Sequence, residues 1–170
     1  MNSFDHRKYR PAPPVALPDR QWPGRVVAEA PRWASVDLRD GNQALLAPMG
    51  VDQKRRLWEL LVKLGFKEIE VGFPAASTPD HDFVRWLVEA RRIPENVTIQ
   101  VLVQAREDLI RRTFDSLRGV RRAVVHLYNS TSRVQRERVF GLDEEGVKGI
   151  ARRGAELVVR EAERYPDTEW

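Results

Sequence analysis

With 170 residues, 42% of them hydrophobic and 32% charged, the chain is long enough for one domain with a core and too apolar to be disordered. It has no cysteine, which excludes disulfides and thiolate metal sites and suits a cytoplasmic protein. No apolar run approaches the roughly 20 residues of a membrane helix, and the polar first ten residues carry no signal-peptide core. The formal charge is +4, from 29 basic and 25 acidic residues, but the two signs are interleaved, as in Arg106-Glu107-Asp108 and Arg136-Glu137-Arg138. That pattern reads as solvated helix surface rather than a nucleic-acid stripe, and the remaining excess fits an anionic small substrate equally well.

Residues 1–32 hold six of the eleven prolines and cannot form an interior helix or a central strand. They read as an extended arm with Trp22 and Trp33 as possible anchors, or as a mobile tail. From Trp33 onward strands and helices alternate. Residues 34–38 read as a first strand. Residues 51–64 read as a helix whose face carries Leu57, Leu60, Leu61 and Leu64, closed by a C-cap glycine at Gly65. A second strand is expected over 67–72, then a helix over 78–90 opened by Thr78-Pro79-Asp80, which supplies its cap and a proline for its first turn.

A third strand follows over 96–103 and a third helix over 106–117, with Ile110, Thr113, Phe114 and Leu117 on one face. The fourth strand is 122–128, and a short helical piece within 130–139 leads to Asp143. That residue caps a helix to about residue 165, with Val147, Ile150, Ala151, Gly154, Leu157 and Val158 inward.

This β-α alternation argues for an α/β protein with a parallel sheet, either a doubly wound open sheet or part of a (β/α)8 TIM barrel. No glycine-rich phosphate fingerprint follows a strand, and Arg39, Asp40, Glu70, Gln100 and His126 cluster toward strand C-terminal ends, which favours the barrel. Four units make half a barrel with unpaired outer edges, so the sequence reads as truncated.

Asp40, at a strand end before Gly41, is a candidate oxygen ligand for Mg2+ or Mn2+, or else a turn cap. Arg39 is either a carboxylate clamp or an ion-pair partner, and its place in an apolar strand raises the first reading. Glu70 alternates with Ile69 and Val71, so it faces away from the helices and toward Arg39. His126 could donate a proton, contact substrate or sit satisfied in the core; taken alone, the core reading is the better one. His6 and His81 have no evident partner, and no His-x-His pair exists.

Three stretches carry a resemblance to a family. Asp37-Leu38-Arg39-Asp40-Gly41-Asn42-Gln43-Ala44-Leu45, Glu68-Ile69-Glu70-Val71-Gly72-Phe73-Pro74-Ala75-Ala76-Ser77 and Val125-His126-Leu127-Tyr128-Asn129-Ser130-Thr131-Ser132 resemble the 2-isopropylmalate synthases. Lys8-Tyr9-Arg10-Pro11 and Pro18-Asp19-Arg20-Gln21-Trp22-Pro23 are similar to the Pro-rich arm of the longer bacterial form.

The resemblance implies an acyltransferase that condenses acetyl-CoA with 2-oxoisovalerate to 2-isopropylmalate and CoA, committing carbon to leucine. It implies a cytoplasmic enzyme, homodimeric at full length, that uses a divalent metal ion, Mg2+ first with Mn2+ or Zn2+ as alternatives, and engages neither nucleic acid nor membrane. Asp40 matches the family's metal ligand, Arg39 the arginine on the oxo acid and oxyanion, Glu70 the glutamate orienting that arginine, and His126 an oxo-acid contact.

Homocitrate and citramalate synthases are the nearest rivals, and a half-barrel binding module is a rival from another class. The family's His-x-His metal pair, second half-barrel and leucine-sensing domain have no counterpart in this sequence. The expectation is therefore residues 1–32 as arm and 33–170 as the N-terminal half of a pyruvate-carboxyltransferase-like catalytic barrel, an inert fragment taken alone.

Overall fold

The computed structural model describes residues 29–170 together with Pro18, Asp19 and Gln21. His6, Trp22 and most of the expected arm lie outside the described residues, and Trp33 is exposed. Four β-α units follow: β1 (Ala34–Ser35), α1 (Val51–Leu64), β2 (Glu68–Gly72), α2 (Thr78–Glu89), β3 (Thr98–Gln104), α3 (Glu107–Ser116), β4 (Ala123–Tyr128), the single turn α4 (Arg133–Gln135) and α5 (Glu144–Ala162). The strands form one parallel sheet in sequence order, β1-β2-β3-β4, with no reversal of direction along it.

Side-chain alternation sorts the sheet into two faces. Ile69, Val71, Ile99 and Val101 are fully buried and pack with Trp58, Leu61, Phe83, Val84 and Leu87 of α1 and α2. Val103 continues that layer against Ile110 and Phe114 of α3 and Leu157 of α5. Glu70, Gln100 and His126 occupy the alternate positions, on the face away from these helices.

Three expectations are corrected. The first strand stops at Ser35 rather than running to residue 38. The Val36 carbonyl accepts from the Arg39 and Gly41 amides at 3.1 and 3.2 Å, and this wide closure makes Asp37–Gly41 a π-helical turn. Arg39 and Asp40 therefore sit on a turn, not within an apolar strand. The inward stripe of α1 is Lys54, Trp58 and Leu61, whereas Leu60 and Leu64 are exposed; a buried lysine displaced the all-leucine reading. The cap of α2 is Ser77, whose Oγ accepts from the Asp80 amide at 3.2 Å, and Thr78 is already helical.

The short helical piece expected over 130–139 is α4 continued by a second π-turn, Arg136–Phe140. Asp143 caps α5 by accepting from the Gly146 amide at 2.8 Å. α3 and α5 are joined by the buried Glu161, which accepts from Arg111 at 2.6 Å and Arg164 at 2.5 Å. The Glu107 hydrogen bond, and then the charge of Glu161, raise the Arg111 guanidinium further above its ordinary value. Among the described residues no helix is long and apolar enough to cross a membrane.

Candidate functional site

Glu70 is the centre of the site. Its side chain is fully buried, and a buried carboxylate needs donors on both oxygens. Arg39 supplies one side: Nε lies 2.9 Å and a terminal nitrogen 2.8 Å from Oε2. His126 supplies the other, with Nδ1 at 3.0 Å from Oε1. A carboxylate only accepts, so Nδ1 carries a proton and donates it to Oε1, which leaves Nε2 facing away from Glu70. The Gln100 amide lies 3.1 Å from the same Nδ1. The nearer atom is the amide Nε2; an Nδ1 that carries a proton cannot accept from it, so only the flipped amide, with its oxygen toward the ring, is compatible with the Glu70 bond.

The backbone explains why these groups converge. Glu70 pairs in register with Gln100, and the register then slips so that Gly72 faces Val101. Such a bulge re-aims side chains at the end of a strand. On β4, His126 pairs with Leu102, two residues beyond Gln100, so the imidazole reaches Glu70 diagonally across β3. Gln100 and His126 thus stand in mid-strand rather than at the strand tips. Arg39 comes from the π-turn, its guanidinium mostly covered.

The other end of that guanidinium pairs with Asp40, whose side chain is 56% exposed. Asp37 is turned away and accepts from the Ser35 hydroxyl at 2.6 Å, which fixes the entry to the turn. His81, expected to lack a partner, sits on α2 near Asp82 at 3.4 Å and outside the cluster. The structure therefore brings Arg39, Asp40, Glu70, Gln100 and His126 together.

Two site-related residues escaped the sequence reading. Lys54 of α1 is fully buried, donates from Nζ to the Leu38 carbonyl at 3.2 Å and pairs with Asp80. Asp80 also accepts from the Phe73 amide at 2.7 Å. The available signal was a lysine at an apolar position of a helical stripe, spaced by four and seven from Trp58 and Leu61.

Chemically, an arginine held by Glu70 on one edge and Asp40 on the other keeps free N–H donors on both terminal nitrogens, which can receive an oxyanion or a carboxylate. Asp40 is an accessible oxygen donor of the kind hard divalent ions take. One carboxylate is not a complete metal site, and among the described residues no group of three acidic or histidine side chains could hold an ion. The described residues fit one ligand position of such an ion and no more.

The HMGL-like family matches residues 30–166. The chain belongs to that family. It is also similar to 2-isopropylmalate synthases: 60% identical over 168 residues to that of Alcanivorax borkumensis, covering 99% of this chain and 30% of the relative. It is 60% identical over 163 residues to that of Ralstonia nicotianae, covering 96% and 28%. It is 62% identical over 152 residues to that of Rhodospirillum rubrum, covering 89% and 27%. The chain thus spans less than a third of the length of these curated relatives.

Proposed function

We propose that this chain supplies the oxo-acid corner of a 2-isopropylmalate synthase, on the first four β-α units of a (β/α)8 barrel. The observation that carries the reading is the buried Glu70, held between Arg39 and His126 in an HMGL-like chain about 60% identical to such synthases. The unreversed strand order and the polar face of the sheet opposite the helices support the barrel.

The reaction joins the methyl carbon of acetyl-CoA to the carbonyl carbon of 2-oxoisovalerate. The methyl proton leaves to a base, the ketone oxygen becomes an alkoxide and then a hydroxyl, and water cleaves the thioester to release CoA and the new carboxylate. Arg39 binds the 2-oxo acid and stabilises the alkoxide; a preorganised donor of this kind contributes on the order of 10²-fold or more to the rate.

Glu70 holds the guanidinium edge-on and fixes the His126 tautomer. His126 contacts the oxo acid through Nε2. Asp40 is one oxygen ligand of a divalent ion, Mg2+ first with Mn2+ or Zn2+ as alternatives, which when bound supplies Lewis acidity at the carbonyl oxygen. The assembled enzyme is a cytoplasmic homodimer.

The test is a chimera in which this chain replaces the 168 matched residues of the Alcanivorax borkumensis synthase. CoA release is followed with 2-oxoisovalerate, pyruvate and 2-oxoglutarate in turn. The reading expects turnover with 2-oxoisovalerate at the parent's level. Preference for pyruvate or 2-oxoglutarate would place the chain with citramalate or homocitrate synthases, and a folded but inactive chimera would overturn the enzymatic reading.

A further inference from the structure

Lys54 is a charged side chain in a place where a hydrophobic one would serve. It shares the inward stripe of α1 with Trp58 and Leu61, is fully buried, and its Nζ lies 5.7 Å from the centre of the Phe83 ring. Replacing a buried ion pair by apolar groups of similar volume is often neutral or stabilising, so stability alone gives little reason for a lysine here.

What distinguishes Lys54 is where its partners lie. It donates to the carbonyl of Leu38, the residue before Arg39, and pairs with Asp80 at the start of α2. Asp80 in turn accepts from the amide of Phe73, just past the β2 strand that carries Glu70. One buried cation and one carboxylate thus tie the π-turn bearing Arg39 and Asp40 to the chain that leaves Glu70.

Gly72 completes the joint. Its φ is +155°, and a Cβ there would stand 2.8 Å from both Cγ and Oδ2 of Asp80. Only glycine lets the backbone close on this carboxylate. The bulge after Glu70 falls at the same point, so the register slip, the glycine and the Asp80 contact are one local structure.

We propose that Lys54 and Asp80 are positioning residues of the site: the pair sets the distance and orientation between Arg39 and Glu70 from beneath. The proposal rests on reading Arg39 and Glu70 as the working pair. Lys54 meets the turn through the Leu38 carbonyl and Asp80 meets the strand exit through the Phe73 amide, so both act through backbone groups.

The test is the double variant Lys54→Met/Asp80→Asn of the chain, which removes both charges and leaves neither stranded. The Arg39 Nε–H resonance reports the bond to Glu70, and amide exchange at Arg39 and Gly41 reports the turn, whose bonds run to Val36 and not to Lys54. A shifted or broadened Nε–H signal is expected, together with exchange roughly tenfold faster or more at these two amides. The core strand amides Ile99 and Val101 should keep their wild-type protection. Glu161→Gln, which disturbs a buried ion pair away from the site, should leave the Arg39 signal unmoved.

If the double variant does not fold, Lys54→Met alone gives the same reading, since the Asp80 carboxylate left behind is partly exposed and keeps the Phe73 amide as a donor. Wild-type Arg39 and Gly41 signals in a folded variant would overturn the proposal. A loosened turn in the variant, alongside a chimera that does not need Arg39, would instead sink the functional reading and leave the positioning role standing.

Discussion

Arg39 and Glu70, 31 residues apart in sequence, meet through two guanidinium nitrogens on a single carboxylate oxygen, at 2.9 and 2.8 Å. Glu70 is fully buried at this contact, whereas Arg39 retains a sliver of exposure. The two partners are therefore unequal. Removing the arginine strands a buried anion whose remaining charged-form donor is one imidazole N–H. Arg39→Met is expected to lower unfolding free energy by roughly 3 kcal/mol. Arg39→Met/Glu70→Gln should recover most of that loss in urea titrations, and an equal or larger loss in the double variant would contradict the account.

Two glycines of α5 make opposite predictions. A Cβ on Gly154 would sit 2.8 Å from the Ala105 Cβ and 3.3 Å from its Cα, so the helix must shift off the β3–α3 junction. Gly154→Ala should destabilise by roughly 1–3 kcal/mol despite the helix preference of alanine. A Cβ on Gly149 meets only the mobile end of Arg153, at 3.1 Å. Gly149→Ala should stabilise by about 0.5–1 kcal/mol. Thermal unfolding of the two variants checks both signs at once.

Gly72→Ala combines a rare backbone conformation with a close approach to Asp80. The expected cost is about 2–4 kcal/mol, from backbone strain and overpacking together. Gly50→Ala, with nothing within 4 Å of the added carbon, should stay within about 0.5 kcal/mol of wild type. A comparable loss for both would mean that the Asp80 contact is unimportant.

How much of this was readable from the sequence differs from residue to residue. The bounds of α1 coincide with the apolar periodicity and the Gly65 cap, because both signals are local. The facing of Glu70 toward Arg39 follows from strand alternation, which also depends on few neighbours. The π-turn was hidden: 34–38 looks like a strand until the Val36 carbonyl is seen to gather two amides, and nothing local marks that closure. Lys54 was missed for the opposite reason. Hydrophobic periodicity treats lysine as outward, whereas tertiary partners on the π-turn and α2, 16 and 26 residues away, make it inward. The Gln100–His126 contact depends on strand register, which single-strand patterns do not encode.

Asp40, without two further ligands beside it among the described residues, makes a quantitative prediction for the chain by itself. Mg2+ and Mn2+ titrations followed by calorimetry should show no micromolar affinity, since hard cations of this kind are held by several oxygen ligands. Micromolar binding that survives Asp40→Asn would place a metal site elsewhere. Micromolar binding that Asp40→Asn abolishes would show that the remaining ligands lie within this chain.

The central claim is that Arg39 binds the 2-oxo acid and stabilises the negative charge that develops on its ketone oxygen. The most direct measurement is kcat for 2-oxoisovalerate in the chimera with the Alcanivorax borkumensis synthase, with and without Arg39→Gln. The account predicts a fall in kcat of roughly 10²-fold or more for a folded variant. Turnover within a few-fold of the unsubstituted chimera would contradict it.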